Sequence, residues 1–170
     1  MKHLFFLLSL TLLCFSCKQQ ECEVKTAGFV TAFPDATYTI GTNESVTVWQ
    51  KYIELHNQQD LEGIMAMTWD SIQIYGPNGE YINGKAEHRA FLEEWFSSGI
   101  GLSWSFTWAT AVKVVDAPGE WVLSGIDFVQ SDSTVNVESQ IISAAVGPEK
   151  VYEFYVKTSK VPQAEPEEEE

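Results

Sequence analysis

With 170 residues, 45% hydrophobic and 13% aromatic, the chain has material for one packed domain and too much apolar content to be disordered throughout. Its formal net charge is −14, from 24 acidic and 10 basic side chains that include a single arginine, Arg89. That balance excludes phosphate-tracking nucleic-acid binding and electrostatic docking on anionic lipid, because both need a basic stripe.

The first sixteen residues, "MKHLFFLLSLTLLCFS", pair a Lys2/His3 start with a Leu- and Phe-rich run too short to span a bilayer. This is the pattern of a secretory signal, which is removed and takes no part in the fold. Cys17 follows Ser16, and "CFSC" resembles the lipobox of bacterial lipoproteins, in which a small residue precedes the cysteine that is acylated. The resemblance implies lipid attachment at Cys17 and a place in the cell envelope, outside the cytoplasmic membrane, with membrane contact through the anchor alone. Unanchored secretion is the alternative. Cys14 leaves with the signal and an acylated Cys17 leaves Cys22 alone, so no intramolecular disulfide and no metal site are expected.

Residues 17–42 form the lipidated N-terminus and a linker without sustained periodicity, whose last part is expected to dock on the domain. The domain spans 43–161. Thr42 or Asn43 caps a first helix, in which Val48, Trp49, Tyr52, Ile53, Leu55 and His56 fall on one broad stripe. Asp60 caps a short second helix with Leu61, Ile64 and Met67 inward, and "SIQIY", "GPNG" and "EYI" predict a hairpin. A third helix opens at Asn83-Gly84, with His88, Phe91, Leu92 and Trp95 on its apolar stripe. The period then changes to two: Leu102, Trp104, Phe106 and Trp108 alternate with small polar residues. Strands at "EWVLSGIDFVQ", "TVNVESQIISAAV" and "KVYEFYVKT" follow, and residues 162–170 are an acidic tail with five glutamates. Helices first and hairpin-linked strands last predict an α+β fold, with the helices packed on one face of a mainly antiparallel sheet.

The segment "VWQKYIELHNQQDLEGIMAMTWDSIQIYGPNG", followed by Gly84-Lys85 and "HRAFLEEWF", resembles the nuclear transport factor 2-like, or SnoaL-like, superfamily, and its first half is similar to ketosteroid isomerase. The resemblance implies a cone-shaped domain in which three N-terminal helices close one end of a curved sheet over a mostly apolar cavity. It also implies homodimers formed through the sheet and no cofactor. For the isomerase it implies a helix-one tyrosine as oxyanion donor, matched by Tyr52, and a carboxylate base directly before the Pro-x-Gly turn. Gly76 stands at the base's position and carries no side chain. The second donor aligns near Ile141.

Two of the three groups are therefore missing, and binding of a small apolar molecule, or a dimeric scaffold, is favoured over catalysis. A cofactor-independent isomerase, dehydratase or hydrolase is the alternative, with Asp127 and His88 as acid-base groups and Tyr52 as electrophilic donor. A protein-protein interaction module is the third reading. Asp127 enters the cavity if Trp121, Leu123, Gly125 and Val129 face inward, and is a solvated sheet residue if Val122, Ile126 and Phe128 do. His88 is either a core histidine satisfied by a neighbour or a ligand-binding imidazole. Tyr52, Tyr75, His88, Trp95, Trp104, Trp108 and Asp127 make up the candidate ligand-binding set. His56 is explained by a cation's preference for a helix C-terminus, and Asp60 and Asp70 by cap and turn chemistry.

Overall fold

The computed structural model describes residues 26–28, 36–131 and 135–160. The signal, Cys17, Cys22 and the acidic tail lie outside the described residues. Helix α1 (Asn43–Asn57) begins where Thr42, in extended conformation, accepts a hydrogen bond from the Ser45 N–H, and it buries Trp49, Tyr52, Ile53 and His56 along one stripe. Its last residue fastens it to the sheet. The Asn57 amide donates to the Trp104 carbonyl at 2.9 Å and accepts from the Trp104 N–H at 2.8 Å, the pair of bonds a neighbouring strand would make.

Helix α2 (Leu61–Met67) starts at Asp60, whose Oδ1 accepts from the Gly63 N–H at 3.0 Å. Helix α3 (Lys85–Ser97) follows Gly84, whose φ of 95° suits a residue without Cβ. A two-pronged ion pair from Arg89 to Glu62, at 2.7 and 3.0 Å, joins α3 to α2 on the exposed side.

Seven strands form one curved, unclosed sheet: β1 (Tyr38–Ile40), β2 (Thr68–Tyr75), β3 (Tyr81–Asn83), β4 (Gly101–Val114), β5 (Glu120–Ser131), β6 (Val135–Val146) and β7 (Val151–Lys160). Their order is β1-β4-β5-β6-β7-β2-β3, antiparallel throughout except for the parallel pair β2–β7. The expected α+β class and the "GPNG" hairpin, now β2–β3, are observed. Strand β1 lies before residue 43, so the last part of the linker enters the sheet, with Tyr38 opposite Val114 on β4.

The register settles which side chains face the helices. On β5, Val122, Ser124, Ile126 and Phe128 are buried inward, while Asp127 lies between Ser105 and Ser139 on the opposite face. On β4 the alternation expected for Leu102, Trp104 and Phe106 breaks at a bulge between Phe106 and Trp108. The extra residue reverses the phase: Ala111 is buried inside, whereas Trp108 is 48% exposed and lies across Gly125 on the outer face. Trp49 sits at the centre of the core, fully buried, its indole N–H donating to Ser124 Oγ at 3.1 Å.

Candidate functional site

Between the helices and the inner face of the sheet lies a cavity of about 730 Å³. Its aromatic wall includes Trp49, Tyr52, Trp95, Trp104, Phe128 and Phe154, and aliphatic side chains from β2, β3, α3, β6 and β7 complete it. Such a volume accommodates a small organic molecule, and a mostly apolar wall would bind it by removing its surface from water.

The polar members of the wall come from separate elements. His56 ends the buried stripe of α1, and its Nδ1 lies 2.7 Å from the Tyr52 carbonyl, so the N–H sits on that nitrogen. His88 enters from the first turns of α3; the two rings are stacked 6.1 Å apart. Burial pushes the His56 pKa down to about 4, against the opposing pull of its bond to the Tyr52 carbonyl. Burial pushes His88 down to about 3, with the neighbouring His56 adding to the effect. Both rings are neutral at neutral pH, which corrects the reading of His56 as a helix-terminal cation. His88 Nδ1 has no hydrogen-bond partner among the described residues. Thr158 Oγ1, also in the cavity wall, is in the same condition.

Tyr52 is in the wall, but its proton is committed. Thr68 Oγ1 donates to the Ile64 carbonyl at 2.8 Å, so across the 3.2 Å contact between the two hydroxyls Tyr52 is the donor and Thr68 the acceptor. Burial also raises the phenol pKa, the bond to Thr68 opposing only in part. Tyr52 is thus a fastener between α1 and the start of β2, with no O–H left for an oxyanion.

Of the other expected site residues, Trp95 and Trp104 line the cavity, packed edge to face at 5.5 Å. Three do not. Asp127 and Trp108 are on the outer face for the reasons of register and bulge given above. Tyr75 alternates with the inward Ile74 and stacks outside on Tyr155, with ring centroids 4.4 Å apart. Ile141 is outside as well, 54% exposed.

The vacancy at Gly76 is filled from across its turn. A Cβ placed on Gly76 would stand 2.4 Å from Glu80 Oε2, and both residues line the cavity mouth. Glu80 accepts from the Asn78 N–H at 2.8 Å and from the Asn78 amide at 3.0 Å. Partial burial raises its pKa, but the Asn78 donors outweigh that and hold the carboxyl below its usual range. A carboxylate stabilised as the anion is a weak base. Chain order gave no sign of this exchange, since Glu80 reads as an ordinary turn residue. Among the described residues no group of three His, Cys, Asp or Glu side chains is placed to hold a metal ion.

No protein-family model matches the chain, and no curated protein matches it in sequence. Solved structures do match it. A Mycobacterium tuberculosis epoxide hydrolase-like protein superposes with a TM-score of 0.60 at 12% identity, covering 69% of this chain and 84% of its own. A Kribbella flavida protein named for ketosteroid isomerase gives 0.58 at 16% identity, over 75% and 86%. A ketosteroid isomerase-like protein from Erwinia carotovora gives 0.55 at 12% identity, over 70% and 96%. The fold is the NTF2-like one. At these identities the NTF2-like fold is what the chain shares with them; the chemistry of each site depends on its own residues.

Proposed function

We propose that this domain binds a small, largely apolar molecule in its cavity without transforming it, and that an acyl anchor at Cys17 displays it in the cell envelope as a cone-shaped module. The observation that carries the reading is a roomy aromatic cavity whose two histidines, buried tyrosine and turn glutamate are poor proton-transfer agents. Two histidines are of low basicity, a tyrosine has its proton engaged, and a glutamate is held as its anion. Tryptophans in the wall supply the assay. Titrating the chain from Lys18 onward with the apolar probe 1-anilinonaphthalene-8-sulfonate, or with a steroid, should change the emission of Trp49, Trp95 and Trp104 saturably. Val156→Trp, which fills the cavity from β7, should abolish the change while the thermal transition stays cooperative. A chain that binds none of a broad panel of apolar metabolites would end this reading.

The enzymatic alternative loses Asp127 to the outer face and retains Glu80 as the cavity's turn-borne carboxylate. Turnover of an isomerase, dehydratase or hydrolase substrate that disappears in Glu80→Gln would establish it over pure binding.

The outer face supports association of two copies. Tyr155, Tyr75 and Tyr81 form a row across β7, β2 and β3, and Ile141 and Trp108 are about half exposed beside it. Such an apolar sheet face suits the self-complementary contact of a two-fold dimer.

A further inference from the structure

Among the described residues, every wall residue of the cavity that carries a formal charge at neutral pH is an acid: Glu80 from the β2–β3 turn, Glu94 from α3 and Glu138 from β6. Among the described residues no lysine or arginine lines it, and both histidines are neutral. The polarity is graded along the strands. Inward side chains run Ala144, Ile142, Gln140, Glu138 on β6, and Val122, Ser124, Ile126, Phe128, Gln130 on β5. Register sets Glu138 opposite Phe128 and Gln140 opposite both Ile126 and Thr158, so the polar groups gather at one end of the cavity. Register also sets Lys160 opposite Glu138, whereas Glu80 and Glu94 take part in no ion pair among the described residues.

A second, independent feature points to an occupant. His88 is 2% exposed, and its Nδ1 has no partner although the ring stands in the wall; Thr158 Oγ1 is likewise unpartnered. Buried polar atoms are ordinarily hydrogen-bonded, so this cavity holds donor and acceptor capacity that its own wall does not use.

Resting on the cavity-binding reading above, we propose that the occupant is an amphipathic cation: an apolar ring system or chain seated against the aromatic wall, bearing a protonated amine that pairs with a wall carboxylate, Glu80 or Glu94. A bare cation would lose too much hydration deep in the apolar part, whereas beside an exposed wall carboxylate it keeps water and gains an opposite charge, and at Glu94 the next residue is the aromatic Trp95. A hydroxyl or carbonyl on the apolar body would reach His88 Nδ1 or Thr158 Oγ1 once the side chain turned toward the cavity, since both atoms are buried in the wall. A carboxylate on the same body would meet the like charges of Glu80 and Glu94, so anionic ligands are disfavoured.

The test uses three probes with one naphthalene body: 1-naphthylmethylamine, 1-naphthalenemethanol and 1-naphthoate, titrated calorimetrically into the chain from Lys18 to Glu170 at pH 7.5. The amine should bind about tenfold or more tightly than the carboxylate, with the alcohol between, and the gap should narrow as salt is raised. In the double variant Glu80→Gln/Glu94→Gln, both at exposed positions, amine affinity should fall toward that of the alcohol, and alcohol affinity should stay within about twofold. In Val156→Trp all three should lose binding. Carboxylate binding as tight as amine binding overturns the charge preference and leaves cavity binding standing. Amine binding that survives Val156→Trp overturns it too, since it then reflects adsorption on an acidic surface. Failure of all three probes, together with the apolar panel, removes the cavity reading itself.

Discussion

His56 and His88 are buried, neutral and adjacent, and that state has a measurable consequence for stability. Their folded pKa values, about 4 and 3, lie below the ordinary imidazole value, so the unfolded chain binds more protons. The stabilisation they contribute is complete above the unfolded pKa and is lost as pH falls through that value toward the folded ones. Urea midpoints should therefore drop between pH 7 and 5, with a slope approaching about 1.4 kcal/mol per pH unit for each histidine. His88→Leu should remove about half of that slope, and an unchanged slope in the variant would refute the assignment. Asp127→Asn tests the register: with its side chain outside the cavity, ligand affinity should stay within about twofold and stability within about 0.5 kcal/mol. Tyr52→Phe should cost about 1 kcal/mol, because Thr68 loses one incoming bond and keeps its own bond to Ile64. A loss of binding much larger than that would mean that the phenol reaches the ligand after all.

Elements are located by small polar devices as much as by packing. Asn57 joins α1 to β4 through both Trp104 backbone groups, so Asn57→Ala should lower the thermal midpoint by several degrees, equivalent to about 1–3 kcal/mol. Asp60→Ala, which removes only the α2 cap, should cost about 1 kcal/mol. The helices, their caps and the turn chemistry were legible in the residues, because the 3.6-residue stripe of α1 and the Asp60 cap are local signals. The β4 bulge was not. The alternation from Leu102 to Trp108 is unbroken in the chain, and the phase change at Thr107 arises from pairing with β5, where Gly125 leaves room for the Trp108 ring. Gly125→Ala should displace that ring, since a Cβ there would stand 2.2 Å from Trp108 Nε1, and the change should appear in the near-ultraviolet dichroism.

On the reading proposed above, the two faces of the sheet divide the molecule's work, with ligand inside and association outside. Sedimentation velocity should show a dimer that Ile141→Lys converts to monomer without altering the melting curve of the isolated fold; a chain that is monomeric at every accessible concentration would remove the dimer. Mass spectrometry of the mature N-terminus should find acylated Cys17, and any other terminal residue without lipid would remove the anchor. Neither property depends on the cavity, so each can fail alone.

Period, caps and turn residues are short-range information, and from them came the α+β class and the helical stripes that carry Tyr52, His56, His88 and Trp95; that Gly76 stands where a base would be was implied by the resemblance to ketosteroid isomerase. The inward set of β5, the exile of Asp127 and Trp108, the pairing of the two histidines and the arrival of Glu80 beside Gly76 came from strand pairing across the sheet. A one-residue change of register or a single bulge exchanges the faces while leaving local propensity untouched, so no reading along the chain distinguishes the two outcomes.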